Sequence, residues 1–109
     1  MKIEILPRAK DDIIRQFEYY VVEHDAPRVA IRFREAVKET LSRLNVRPRI
    51  GAQLRCSIPG VRCWPVTGFP AIRIYYLLLG DIIRVVRILH GKRDVRRILT
   101  EESQSPRLD

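Results

Sequence analysis

The chain has 109 residues, of which 21 are Lys or Arg and 13 are Asp or Glu, so the formal net charge is +8 at pH 7. This length suits one domain with a modest core and excludes two domains. The positive surplus favours an anionic partner, but composition leaves three interpretations open: a solvated basic surface, a nucleic-acid binder, or a binder of an acidic protein.

Signals for metal binding and for membranes are weak. The only cysteines, Cys56 and Cys63, lack the second pair that a zinc site needs, so we expect two reduced thiols. Residues 1–7 are too charged for a signal peptide, and the longest apolar run, 74–79, is too short to cross a bilayer. We therefore expect a cytoplasmic protein with no membrane partner, no metal and no cofactor.

The first half of the chain predicts a strand followed by two helices. Residues 2–6 read as a short strand that Pro7 ends. Apolar residues then recur at spacings of three and four over 8–23, and again from 27 to about 45, which predicts an antiparallel pair of amphipathic helices. The first apolar stripe consists of Ala9, Ile13, Phe17, Tyr20 and Val21.

Polar residues and prolines mark the expected ends of these helices. Asp11 and Asp12 fall in the first turn, where carboxylates complement the helix dipole. Asp25 is expected to cap the second helix, and Pro48 forbids its continuation. The following segment, 48–60, reads as a loop because proline and glycine punctuate it.

The second half predicts three antiparallel strands over 61–67, 71–79 and 82–89. Pro65 marks the first as an edge strand or a bulge, and Gly80-Asp81 between apolar runs indicates a tight hairpin. The order strand, helix, helix and three strands (β-α-α-β-β-β) predicts an α+β domain with the helical hairpin packed on a mainly antiparallel sheet.

The domain is expected to cover residues 1–100, with a possible short helix over 94–99 and a frayed tail over 101–109. Period-two alternation in the last strand places Arg87 with Ile83, Val85 and Leu89. It places Arg84 on the other face with Ile82, Val86, Ile88 and His90. Which of the two sets faces the helices stays open.

A basic group of residues follows the last strand. His90, Gly91, Lys92, Arg93 and Asp94 come directly after the apolar run, and Gly91 permits a sharp exit from the strand. A sheet edge that ends in a histidine and several cations suits an anion, either a phosphate backbone or an acidic protein.

Five motifs occur in order between residues 3 and 99, and together they resemble the RelE/ParE toxins of bacterial type II toxin–antitoxin systems, most closely the ParE branch. The motifs are Pro7 and Ala9 leading into Asp12-Ile13 and Tyr20; Pro48-x-x-Gly51; Pro59-Gly60-Val61-Arg62; Ile74-Tyr75-Tyr76; and Ile88-Leu89-His90-Gly91-Lys92-Arg93-Asp94.

The resemblance implies a toxin that inhibits DNA gyrase by protein–protein contact, without catalysis. It also implies neutralisation by a cognate antitoxin with an acidic, apolar C-terminal segment, and contact with promoter DNA only through that antitoxin. The expected target-binding residues are Arg62, Arg87, His90, Lys92, Arg93, Arg96 and Arg97, and the expected antitoxin-binding residues are Trp64, Tyr75 and Tyr76.

The RelE branch offers an enzymatic alternative, a ribosome-dependent mRNA endoribonuclease that would use Arg73, His90 and Arg93. Two features of that branch are missing: Ile98 or Leu99 stands where it carries a tyrosine, and Arg62-Cys63-Trp64 stands where it carries lysines. A third interpretation is a non-toxic member that acts only as an antitoxin-bound co-repressor.

Each of these residues also has a structural interpretation. His90 is expected to bond backbone at the strand end, and Arg62 to pair with Asp81 or Asp94. Trp64 and at least one of the two tyrosines are expected to pack in or near the core, and the C-terminal cations to form a solvated face.

Overall fold

A computed structural model describes residues 1–91 and 93–104, so Lys92 and the predicted tail beyond residue 104 lie outside the described residues. The elements in this part of the chain are β1 (Lys2–Ile5), α1 (Pro7–Glu18), a π-helical segment (Tyr19–Glu23), α2 (Pro27–Val46), β2 (Ala52–Gln53), β3 (Arg62–Val66), β4 (Phe69–Leu79), β5 (Ile82–His90) and α3 (Val95–Gln104).

The strands form one sheet in the order β1-β5-β4-β3-β2. β1 pairs parallel with β5, and the other pairs are antiparallel, so the predicted α+β architecture is confirmed. The predicted loop over 48–60 was wrong at β2, because two of its residues pair with Arg62 and Cys63. A strand of two exposed residues carries no alternation by which the sequence could reveal it.

Helices cover both faces of the sheet. The hairpin of α1 and α2 buries one face, whose hairpin-side cluster includes Phe33, Leu44, Ile74, Tyr76 and Val85. α3 covers part of the opposite face and buries the α3-side cluster. That cluster consists of Val61, Tyr75, Val86, Leu89, Ile98 and Leu99.

A bulge in β5 divides its residues between the two clusters. Tyr76 pairs with Val85 and Tyr75 pairs with Arg87, which leaves Val86 as an extra residue in β5. The extra residue reverses the alternation. Residues 83, 85 and 88 therefore face the hairpin, whereas 86 and 89 face α3. The predicted grouping of Leu89 with Ile83 and Val85 was wrong, as was that of Ile88 with Val86.

The ends of the helical hairpin also depart from the prediction. The α-helix gives way to a π-helical segment after Glu18, which changes the angular spacing of the side chains. Val21 was expected in the apolar stripe but is 36% exposed. Asp25 does not cap α2: its φ is +48°, and the N-cap is Ala26.

Asp12 forms a buried ion pair with Arg87 instead of complementing the helix dipole. Arg87 donates from Nε to Oδ2 at 2.8 Å and from Nη2 to Oδ1 at 2.9 Å, and the Ile88 backbone N–H donates to Oδ2 at 2.9 Å. The hydrogen bond to Asp12 raises the pKa of Arg87 despite its burial. Arg87 is only 8% exposed, so the expectation that it binds a target is corrected: this contact joins α1 to β5.

Tyr76 fixes the loop that follows α2. Its hydroxyl donates to the Pro48 carbonyl at 2.8 Å and accepts from the Gly51 N–H at 2.9 Å. A Cβ at Gly51 would overlap this hydroxyl, which explains the glycine. Burial raises the pKa of the phenol. Since Tyr76 is fully buried, the expectation that it contacts an antitoxin is corrected to a packing role.

The C-terminal helix is longer than the predicted 94–99, and the predicted tail begins too early at 101. α3 continues to Gln104 because Glu102 has partners in the body of the domain. Its Oε2 accepts from Arg8 Nη1 at 3.0 Å and lies 3.9 Å from Arg87 Nη1.

Cys56 and Cys63 are both free thiols. Within residues 1–91 and 93–104, no three His, Cys, Asp or Glu side chains cluster as a metal site would require. In the same part of the chain, no helix combines the length and apolar character needed to cross a membrane.

We expect Asp12→Asn to lower the free energy of unfolding by about 3–5 kcal/mol, because it removes the carboxylate that is hydrogen-bonded to the buried Arg87 guanidinium and leaves only Glu102, 3.9 Å away, as a nearby anion. Urea unfolding at pH 7 measures the loss. Glu39→Gln is the control, because its pair with Arg43 is exposed and should contribute no more than about 0.5 kcal/mol. Similar losses in both variants would contradict the special role of the buried pair.

Tyr76→Phe should cost about 1–3 kcal/mol at pH 7, because it leaves the buried Gly51 N–H without its acceptor. The folded state holds this phenol neutral above its ordinary pKa of 10.0. Its contribution is therefore complete below that pH and is lost as the pH rises through the higher folded-state value. Unfolding measured from pH 7 to 11 should show a shallower alkaline decline in the variant. Parallel profiles would contradict this assignment.

Candidate functional site

The turn after β5 brings the basic residues back towards the sheet. Gly91 N–H donates to the Ala71 carbonyl at 2.6 Å, and Arg93 N–H donates to the His90 carbonyl at 3.1 Å. The Asp94 carbonyl then accepts from Ile98 N–H at 3.0 Å and starts the first turn of α3. The first half of β4, this turn and the beginning of α3 therefore enclose a common cleft.

We call this cavity the arginine cleft, and its volume is about 310 Å³. Arg73 and Tyr75 enter it from β4, where they are two residues apart and so share a face. The lining residues are Leu54, Cys63, Arg73, Tyr75, Gly91, Arg93, Asp94, Val95 and Arg96.

The cleft carries an excess of positive charge. Arg73, Arg93 and Arg96 are exposed, and no ion pair involves them within the described residues. Arg96 Nε donates to the Arg55 carbonyl at 2.9 Å, which fixes its direction. The Asp94 carboxylate lies 3.7 Å from Arg97 Nε. Three guanidinium groups around one cavity suit a phosphate or a carboxylate, which each can bind through two N–H donors.

Tyr75 gives the cleft a hydroxyl group. Burial and nearby Cys63 raise its pKa, and they outweigh the opposing charge and hydrogen bond of Arg73. The phenol therefore stays protonated at neutral pH and can donate a hydrogen bond to an anion. The sequence carried a signal for this position, since alternation alone places residue 75 beside Arg73 on the same strand face. The expectation that Tyr75 contacts an antitoxin stays a prediction; its side chain is 3% exposed, and it lines the cleft.

His90 does not join Arg73 and Arg93, with which we had grouped it as a catalytic set. It pairs with Ile72, whose side chain belongs to the hairpin-side cluster, so His90 lies on that face of the sheet. The arginine cleft opens on the other face, where Tyr75 packs against α3. The described lining of the cleft accordingly omits His90.

The remaining predicted residues are dispersed. Arg62 Nη1 donates to the Arg49 carbonyl at 3.1 Å and the Gly51 carbonyl at 2.8 Å, so the expected pairing with Asp81 or Asp94 was wrong. Arg97 is exposed on α3. Trp64 is half-buried and packs against the hairpin-side cluster, away from the cleft.

A comparison with solved structures defines the class of fold. The chain superposes on a structure described as the chromosomal ParDE TA system from P. aeruginosa with a TM-score of 0.69. The match has 22% sequence identity and covers 83% of this chain and 95% of that chain, and at this identity it shows the fold alone. No curated protein matches the chain significantly.

A family model identifies the chain more closely. The model described as the ParE toxin of the type II toxin–antitoxin system, parDE, matches residues 3–95. The chain therefore belongs to the ParE toxin family, in agreement with the five motifs and the order of the elements.

Proposed function

We propose that this ParE toxin inhibits DNA gyrase by protein–protein contact, and that the arginine cleft with the adjoining start of α3 forms the contact surface. The observation that carries the proposal is the group of exposed arginines, 73, 93 and 96, on a member of the ParE family. Arg97 extends the surface along α3, and Lys92 stays a proposed contributor from the predicted set. An acidic patch on the enzyme would complement these charges.

The chemistry of the cleft supports binding more than catalysis. Arginine stays protonated at every physiological pH, so Arg73, Arg93 and Arg96 cannot serve as general bases. The raised pKa of Tyr75 keeps its phenol protonated at neutral pH. The hydroxyl can therefore donate a hydrogen bond but is not available to accept a proton. His90, whose imidazole is the side chain most suited to proton transfer, faces the other side of the sheet.

We further propose that a cognate antitoxin neutralises the toxin through an acidic, apolar C-terminal segment. The net charge of +8 supports electrostatic attraction of such a segment, and promoter DNA would be reached only through the antitoxin.

Arg93→Glu combined with Arg96→Glu should raise the toxin concentration needed to inhibit gyrase supercoiling at least tenfold, because it reverses charge inside the cleft. Arg28→Glu combined with Arg32→Glu is the control, because these α2 residues are exposed and the change in net charge is identical. Equal losses would mean that only the global charge matters and would contradict the assignment.

One observation favours the ribonuclease as a second candidate: Tyr75 lies in the cleft with Arg73 and Arg93, where a hydroxyl is able to donate a proton. Removal of a catalytic acid would cost about 100-fold or more in mRNA cleavage on ribosomes. For a gyrase inhibitor we expect Tyr75→Phe to retain supercoiling inhibition within about threefold, with mRNA intact in the presence of the wild-type toxin. Cleaved mRNA with normal supercoiling would overturn the gyrase proposal.

Expression without antitoxin separates both candidates from a non-toxic co-repressor. We expect growth arrest with the wild-type chain, and normal growth at matched protein levels would favour the co-repressor.

A further inference from the structure

β1 is an edge strand of the sheet that residues 1–91 and 93–104 form, because β5 is its one neighbour in the strand order. In this parallel pair the even-numbered residues bond to β5: residues 2 and 6 donate their N–H groups to the carbonyls of residues 81 and 85, at 2.8 and 3.0 Å. The alternation of a strand then directs the N–H and C=O groups of Ile3 and Ile5 away from β5. The outer edge of β1 therefore presents backbone donors and acceptors to another strand.

The side chains of β1 alternate between apolar and charged residues. Ile5 packs against the hairpin-side cluster, and Ile3 shares its face but is 36% exposed. Lys2 and Glu4 lie on the opposite face. Arg84 donates from Nε to Oε1 of Glu4 at 2.9 Å and from Nη2 to Oε2 at 3.4 Å, yet the Glu4 side chain is still 41% exposed. Lys2 is exposed, and it has no ion pair within the described part of the chain.

The segment Lys2-Ile3-Glu4 is complementary to itself in one antiparallel register. When two copies pair about Ile3, Lys2 of each copy lies opposite Glu4 of the other, and the two Ile3 residues exchange a pair of backbone hydrogen bonds. A register centred on Lys2 or on Glu4 would place like charges opposite one another, and so would an in-register parallel pair. Charge therefore selects one two-fold arrangement among those that an open edge permits.

We propose that two copies of this chain associate through β1 and continue the sheet across a two-fold axis. Opposite residues of antiparallel strands point to the same face, so this axis is perpendicular to the sheet. The two helical hairpins then lie on one face of the combined sheet, and both arginine clefts lie on the other. Association gives the Lys2 ammonium a carboxylate partner and covers the exposed Ile3.

Charge and size both indicate a weak dimer. The net charge of +8 on each copy opposes association, but at physiological ionic strength the screening length is about 8 Å, so groups near the interface dominate. At the interface itself the facing charges are opposite in sign. A strand of four residues cannot bury the roughly 800 Å² per partner of a standard interface. We therefore expect a dimer that forms and dissociates with concentration.

Sedimentation equilibrium of the full chain at physiological salt measures this association. The average mass should rise with concentration from 12.8 kDa towards twice that value. Lys2→Glu should weaken the dimer at least tenfold, because it places carboxylates opposite each other in both charge contacts. Arg28→Glu is the matched control, since Arg28 is exposed at the start of α2 and the change in net charge is the same. The control should dimerise at least as tightly as the wild type.

A mixture of two variants tests the register. Glu4→Lys alone should also weaken the dimer at least tenfold, because it places ammonium groups opposite each other. In a pair formed by one Lys2→Glu copy and one Glu4→Lys copy, both contacts again join opposite charges. We expect the mixture to associate within about threefold of wild-type affinity, although neither variant does so alone. Circular dichroism checks that each variant is folded.

Amide hydrogen exchange identifies the edge in the wild-type chain without any substitution. The Ile3 N–H should exchange at least fivefold more slowly in concentrated than in dilute solution, whereas the Lys2 N–H, already bonded to Asp81, should change little. The inference fails if the chain is monomeric at every concentration, if a dimer forms without protecting Ile3, if Lys2→Glu and Arg28→Glu act alike, or if folded variants do not associate when mixed. Protection of Ile3 by antitoxin alone would also overturn it, because a different partner would then cover the edge.

Discussion

The buried contact between Asp12 and Arg87 is the constraint on which the two-sided core depends. One carboxylate accepts three donors: two guanidinium N–H groups and the Ile88 backbone N–H beside the extra residue of the bulge. The contact holds α1 against β5 where the strand reverses its alternation. Because of this reversal, the same strand supplies residues 83, 85 and 88 to one cluster and 86 and 89 to the other.

The cost of burying these charges explains why the contact is so completely hydrogen-bonded. A buried ion pair stabilises a fold only when hydrogen bonds compensate both partners for lost water. Arg15 and Glu102 lie at 3.6 and 3.9 Å from the pair and add charge of the appropriate sign at its edge. Through Glu102 the contact also reaches α3, so it joins α1 and α3 to β5.

Local sequence patterns predicted the elements well and their relations less well. Glycine between apolar runs correctly predicted the β4–β5 hairpin, and spacings of three and four predicted the helices because both signals are local. The bulge at Val86 was not predictable from β5 itself, since the carboxylate that accepts the nearby Ile88 N–H lies 76 residues away along the chain. Asp12 looked like a residue that complements a helix dipole because its partner is equally distant.

The same distinction applies to the candidate site. Arg73 and Arg93, which the likeness to the RelE branch had grouped, both line the arginine cleft, and their role in catalysis stays a prediction. His90 was grouped with them by proximity along the chain, but its cross-strand partner Ile72 places it on the other face. Alternation along β4 was by itself enough to place Tyr75 on the same face of the sheet as Arg73.

The parallel pairing of β1 with β5 has a consequence for how the protein is made. Glu4 cannot pair with Arg84 until residue 84 has been synthesised, 80 positions later. At ribosomal rates of roughly 5–20 residues per second, this delay is about 4–16 s. During that time the sequence of α1 and α2 is already complete, but β5, against which α1 packs, has not been made. The nascent chain therefore completes its sheet only after β5 has been synthesised.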